Sequence, residues 1–445
     1  MRRFIIERSE TDLTSHAGLA LVGQALNRLS ALPQTVDREI PLRHGIAHGD
    51  VLRAYIGMLC LAKNDFEAVE NFRDDLFFAE ALGITTVSSS ATLRQRFDDR
   101  AEEFLPLVTG AATDFLCAAE VKPTPLAIGH VPLDADVTPF DNSKTKKEGV
   151  SRTYKGCDGY APMAAYLGCE GYCLELELRE GSQHCQRGTP AFLRRVLARA
   201  RRVTEAPVLL RLDGGNDALD NVEAVLEHNE ADEVGVDFLI KWNPRKEDPR
   251  SWLEQAQENT EFTEPRAGKR VWVFNVEVTR TRGEWEYTLH RVMRVIERTI
   301  DRRGQALLVP EVEVEGWWTS LDLEGEAVIA LYADHGTSEQ FHSEFKTDLD
   351  IERLPSGKFQ TNALVLACSV LAYNILRWLG QQGLTGRDAP IRHPAKRRRI
   401  RTVMQELMYL AARFIESGRR LKLAFDRRCA AAAIFARLYN HLAYG

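Results

Sequence analysis

Four carboxylates stand where the sequence pattern changes from one element to the next. Asp134 and Asp136 lie in Leu133-Asp-Ala-Asp-Val-Thr138 and share one face of a strand, because alternate strand residues point the same way. Asp213 closes the apolar run Val208-Leu-Leu-Arg-Leu and precedes Gly214-Gly215. Glu339 falls just inside a helical pattern that starts near Thr337, where Thr337 and Gln340 fit a capping box. A carboxylate ending a buried strand is costly to desolvate unless something pairs with it. In α/β proteins such strand ends are also where ligands sit. Acids from two strands and a helix are what a two-metal phosphoryl-transfer site needs: oxygen donors suit hard Mg2+, and two ions about 4 Å apart stabilise the attacking and leaving oxygens together. Spacing alone does not choose between Asp134 and Asp136. Taken singly, each acid reads equally as a surface residue at the end of an element.

The elements that must position these acids follow from periodicity. Residues 1–120 read as mostly helical, with helical faces at 50–61 and 65–72. Ser88-Ser-Ser-Ala-Thr-Leu-Arg-Gln-Arg-Phe predicts a short capped helix exposing Arg94 and Arg96, the form of a reading helix in a helix-turn-helix unit or of a surface helix in a bundle. From 125 onward the chain predicts strands at 125–138, 161–168 and 172–179, with a turn at 168–171. A helix over 189–202, a buried strand over 207–212, a helix over 216–229 and a strand over 234–241 complete an α/β order. Residues 242–318 alternate as β sequence, with a hairpin turn at 279–283, and look inserted, because a helix pattern resumes at 337–349. From 362 to the end the chain predicts helix that grows increasingly basic. The domains expected are therefore 1–120 helical (and DNA-binding on the helix-turn-helix reading of 88–97), 121–241 and 319–360 the two parts of the core, 242–318 a β-rich insertion, and 361–445 a basic helical region.

Tyr332-x2-His335-x3-Glu339-x6-Lys346 resembles the Tyr-Arg-Glu-Lys motif of DDE transposases of bacterial insertion sequences, with His in place of Arg. Together with Leu133-Asp-Ala-Asp-Val-Thr and Arg211-Leu-Asp-Gly-Gly it is similar to the insertion-sequence family named thirteen-eighty, over roughly residues 45 to 380. The resemblance implies an α/β fold with a ribonuclease-H-like mixed-sheet catalytic core, a β-rich insertion, and flanking helical N-terminal and C-terminal regions. It implies Asp136, ahead of Thr138, as the first metal-binding acid, with Asp213 the second and Glu339 the third. On a regular helix Glu344 lies about 140° from Glu339, whereas Lys346 lies about 20° from it and could hold a phosphate. Tyr332 and His335 join Lys346 as expected phosphate contacts. The implied cofactor is Mg2+, with Mn2+ able to substitute, and the implied chemistry is cleavage of element ends followed by strand transfer. The implied partner is double-stranded DNA, bound by a homodimer or higher multimer.

Composition agrees with this reading without demanding it. The chain has 445 residues, 44% hydrophobic and 27% charged, which suits a folded protein, and its net charge of -6 excludes a simple polycation. Charge is unevenly placed. Residues 391–445 carry 13 Lys+Arg and 3 Asp+Glu, a local +10, while 205–237 carry 10 acids and one base, a local -9. Lys396, Arg397, Arg398 and Arg399 form the densest basic run and the expected phosphate-binding tail. Trp317 and Trp318 read as core residues or as rings to stack on a flipped base. Cys169-x3-Cys173 with His184-Cys185 comes nearest to zinc spacing but lies in strand-like sequence. The apolar run 363–376 is too short to span a bilayer. With no signal-peptide pattern at the start, a cytoplasmic, nucleoid-associated protein without membrane contact is expected. The competing readings are a silent DNA-binding descendant, a nuclease without strand transfer, and a helix-turn-helix regulator.

Overall fold

The computed structural model describes every residue except 1, 2, 9, 233, 302, 388, 391, 392, 419 and 445. The apolar runs of the middle sequence become Val131–Val137 (β1), Met163–Leu167 (β2), Tyr172–Glu177 (β3), Val208–Leu212 (β4) and Val236–Lys241 (β5). Strands β1, β4 and β5 run parallel, and β2 and β3 add antiparallel beyond β1. Near-continuous burial along β1 and β4 accounts for their unbroken apolar sequence, since each face of the central strands is covered.

Thr263–Arg266 (β6), Lys269–Arg282 (β7), Trp285–Ile300 (β8) and Ala306–Thr319 (β9) extend the same sheet, because β9 pairs antiparallel with β5. The nine strands run β6-β7-β8-β9-β5-β4-β1-β2-β3. The segment expected to be all β also contains a helix, Pro249–Asn259, which buries Trp252 and Ala256. The β7–β8 turn falls at Gly283 and Glu284, later than the alternation suggested.

Two long helices brace the opposite edge. Ser90–Ala118 (α1) is 29 residues long and capped by the Ser89 side chain on the Thr92 amide. Its buried stripe Leu93, Phe97, Ala101, Phe104, Val108, Ala112 and Phe115 keeps helical spacing throughout. A short reading helix exposed to DNA is therefore not what this segment forms. Thr189–Val203 (α2) and Leu219–Ala231 (α3) cross over between β3, β4 and β5. Phe359–Leu384, labelled α5 below, is long and apolar enough to cross a membrane, yet its most apolar window is 94% buried in the protein. It packs on α1 and on β3, where the Asn374 amide bonds both the N–H and the C=O of Cys173, at 2.9 and 2.8 Å, and so closes a sheet edge.

The helical run carrying Glu339 departs most from expectation. It begins at Gly325 rather than Thr337, tightens to a 3-10 turn at Asp334–Thr337, continues as Ser338–Ser343 (α4) and widens to a π turn at Glu344–Asp348. Thr337 is itself helical and makes no side-chain cap, so the capping box is not formed. Gly171, at φ 72°, lies under this run, where a Cβ would come within 2.2 Å of the Phe341 ring.

The tail is not wholly helical. Ala412–Ser417 and Arg420–Phe425 form a hairpin whose first strand pairs with Leu13–Thr14. Lys396–Arg399 lies outside any helix and straps across the π turn. Arg377 of α5 and Arg397 of the strap meet the fully buried Glu344, whose Oε2 also accepts from Tyr373 at 3.0 Å. Glu344→Gln should destabilise the protein by about 3–5 kcal/mol in chemical unfolding, because it strands a buried guanidinium. Adding Arg377→Met should return most of that loss; equal stability of the single variant and wild type would refute the assignment.

Candidate active site

The sheet register sets the site. Asp134 on β1 stands directly across from Arg211 on β4, and Ala135 across from Leu212. The next step brings Asp136 and Asp213 to neighbouring ends of two parallel strands, which lie about 4.8 Å apart in any sheet. Arg211 grips Asp134 through two parallel bonds, Nε to Oδ1 at 2.6 Å and Nη2 to Oδ2 at 2.8 Å. Its remaining Nη1 donates to the Leu331 carbonyl at 2.7 Å, and His335 Nδ1 lies 2.9 Å from Asp134 Oδ1. Burial pushes the Asp134 carboxyl up, but Arg211 and His335 together outweigh it and hold it below the usual carboxylate range. Burial disfavours a charged His335, and its bond to Asp134 reverses the balance and raises its pKa.

Asp136 and Asp213 are treated differently. Among the described residues neither has a lysine or arginine ion-pair partner. Asp136 Oδ1 accepts from the Val137 amide at 2.7 Å, and Oδ2 lies 3.5 Å from His342 Nε2. Asp213 Oδ1 accepts from Asn216 Nδ2 at 2.6 Å, and burial followed by the charge of Asp136 raises its carboxyl above the usual range. Glu339 is exposed on α4. The three acids bear on one hydroxyl, that of Tyr154, which donates to the Val137 carbonyl at 3.3 Å. Burial of this hydroxyl, then Asp136, Asp213 and more weakly Glu339, push it up to about 12, although the residue as a whole is 69% exposed.

The family described as Transposase DDE domain group 1 matches residues 3–444, nearly the whole chain. The chain belongs to the DDE transposases. Among solved structures this transposase is similar to the piggyBac transposase synaptic complex with hairpin DNA, at 11% identity and a TM-score of 0.43, over 96% of this chain and 84% of that one. No curated protein matches it in sequence.

The donor set of this transposase fits a hard divalent cation. Two oxygen-bearing side chains stand side by side with no lysine or arginine ion pair to either among the described residues, and one is raised by burial and then by the other's charge. Among the described residues no three His, Cys, Asp or Glu side chains form a closed metal cluster, and Glu339 is exposed. The cysteines suggested by zinc-like spacing are free, and Cys173 is buried beneath the sheet edge.

The remaining residues singled out by sequence separate sharply. Lys346 reaches the site from the π turn; its ammonium lies 5.7 Å from the Phe140 ring, and burial, against the pull of Glu352, lowers its pKa. The widened turn spoils the simple angular count between Glu339 and Lys346. Tyr332 packs against Trp317 and His335, at ring separations of 6.2 and 5.5 Å. His335 is buried and bound to Asp134, so its ring supports the sheet instead of facing a phosphate. Trp317 and Trp318 are 2% and 1% exposed, and cations already cover their rings: Lys241 at 4.1 Å from Trp317, and Arg280 and Arg291 at 4.6 and 4.7 Å from Trp318. Packing describes them, and a base has no access.

Arg94 pairs with Glu67 at 3.0 Å on the surface, while Arg96 is turned inward to His48 and the Ile46 carbonyl. Arg397, Arg398 and Arg399 are likewise engaged by the protein itself: Arg397 with Glu344, Arg398 with the Leu384 carbonyl at 2.8 Å, and Arg399, from a partly exposed position, with Asp348 at 2.7 Å. Of that run Lys396 is exposed, and Arg399, though paired, keeps a side chain 38% exposed. Tyr154 and His342 were not found from sequence; a loop tyrosine carries no spacing signal, and His342 differs from a core histidine only in three dimensions.

Two outcomes follow. Asp134→Ala should cost about 3–5 kcal/mol in unfolding, by leaving Arg211 buried without its carboxylate; an effect under about 1 kcal/mol would refute the pairing. Asp213→Asn should act oppositely. A raised folded pKa means that wild-type stability is lost as pH rises through it. In EDTA the variant should therefore melt above wild type at pH 7, with the gap closing below the ordinary carboxylate range.

Proposed function

We propose that this transposase, of the thirteen-eighty branch, binds the terminal inverted repeats of an insertion sequence, cleaves the DNA ends and joins them to target DNA. The observation that carries the reading is the contrast within one sheet: Asp134 is paired with Arg211, while Asp136 and Asp213, one step further on, have no lysine or arginine ion pair among the described residues. The strand order β3-β2-β1-β4-β5 supports a ribonuclease-H-like core over 121–241 and 319–360, with 242–318 inserted and helical regions at 1–120 and 361–445.

Asp136 and Asp213 are proposed to hold one Mg2+, and Glu339 to complete a second site; Mn2+ can substitute. Bound there, the metal ions supply charge that stabilises the attacking and leaving oxygens of phosphoryl transfer. The protein's own part is placement. Asp136 and Asp213 are fixed by strand register, Glu339 is presented by a helix pinned at both of its pitch changes, and Lys346 beside Asp136 is proposed to hold a phosphate oxygen. Tyr154, whose hydroxyl feels all three acids, is proposed to meet the scissile nucleotide. Exposed Lys396 and Arg94 are proposed to meet the DNA backbone. The partner is double-stranded DNA, bound by a homodimer or higher multimer in the cytoplasm, at the nucleoid.

Excision of a marker flanked by the DNA on each side of this gene tests the reading. Wild type should release the marker, and Asp136→Asn, Asp213→Asn and Glu339→Gln should each abolish release while still binding the ends in a gel-shift assay. Excision at the wild-type rate by Asp213→Asn would overturn it.

A further inference from the structure

His342 lies one turn beyond Glu339 on α4 and is 6% exposed. Its ring enters above β1 and β2, where Ala164 stands across from Asp136 and Tyr166 across from Asp134. A methyl group at 164 leaves the space over Asp136 free for an imidazole. His342 Nδ1 is 3.0 Å from the Tyr166 hydroxyl, and Nε2, buried and without a hydrogen bond among the described residues, is 3.5 Å from Asp136 Oδ2.

The chain of groups selects one tautomer. Tyr166 is 1% exposed and, among the described residues, His342 is the side-chain partner of its hydroxyl. If Tyr166 O–H donates to Nδ1, Nε2 carries the hydrogen, and Asp136 Oδ2 at 3.5 Å is the acceptor within its reach. The reverse arrangement sets a nitrogen lone pair against Asp136 and leaves the tyrosine proton without an acceptor in a buried place, which is costly.

We propose that His342 is a positioning residue: anchored by Tyr166, its Nε2–H tethers Oδ2 of Asp136 and aims that carboxylate at the cation it shares with Asp213. This rests on the metal-binding reading given above. Outer partners of metal ligands typically change affinity by about 10–100-fold when removed.

The test is Mn2+ binding, followed by loss of the free-ion electron paramagnetic resonance signal, without DNA. Wild type, Asp136→Asn, His342→Ala, His342→Gln and Tyr166→Phe are titrated in parallel, with thermal midpoints recorded in EDTA. His342→Ala should weaken Mn2+ binding about 10–100-fold. His342→Gln, whose amide can still donate, should restore most of it, and Tyr166→Phe should weaken it less. A purely structural histidine would lower the thermal midpoint and leave the Mn2+ constant in place, which overturns the proposal. If His342→Ala does not fold, Tyr166→Phe decides: an unchanged constant overturns the proposal. Binding that Asp136→Asn does not affect would instead take down the metal-site reading, and this inference with it.

Discussion

The bidentate pair between Asp134 and Arg211 is the constraint on which the rest of the site depends. An ionised carboxylate inside a sheet is tolerable only with close compensation, and here it comes from the neighbouring strand, in register. The same guanidinium reaches the Leu331 carbonyl, and the same carboxylate reaches His335. Two strands and one helical run are thereby fixed to one another at a single buried point. Those three elements carry Asp136, Asp213 and Glu339. Because side chains alternate along a strand, fixing residue 134 opposite 211 also fixes the next same-face pair, and any slip that broke the first pair would part Asp136 from Asp213.

Around Glu339 the backbone changes pitch twice, at His335 and at Glu344. Each irregular turn is tied down by charge. Asp134 holds the first, while Arg377, Arg397 and Arg399 hold the second through Glu344 and Asp348. The basic run that looked like a DNA-binding surface is in large part an internal fastening. A π turn kept in place by buried ion pairs suggests a side chain placed off the regular helical grid, as π turns often do at functional sites.

How much of this was legible in the sequence varied with the kind of signal. The central strands were readable because burial on both faces leaves an apolar run with nothing else to mean, and Asp213 was visible as the charge that ends one. Asp134 and Asp136 could not be separated by alternation, since both point the same way; their difference lies in Arg211, 75 or more residues downstream. The hairpin Ala412–Phe425 was missed because its side chains are half exposed and basic, a composition shared with solvated helix. Ion pairs joining residues 344 and 348 to 397 and 399 leave no local trace at all. Trp317 and Trp318 show the converse difficulty: an aromatic pair reads alike whether it stacks on a base or on a lysine and two arginines.

The strap has a bearing on how the molecule comes into being. The ribosome delivers β1 and β4 early, so the pair that aligns the two aspartates can form on a partial chain. The π turn beyond Glu339 is held by Arg397 and Arg399, which emerge some fifty residues after it. The hairpin at 412–425 that pairs with Leu13–Thr14 emerges later still. A nascent chain therefore possesses its two aspartates, aligned, before it has the means to hold the turn that follows its glutamate.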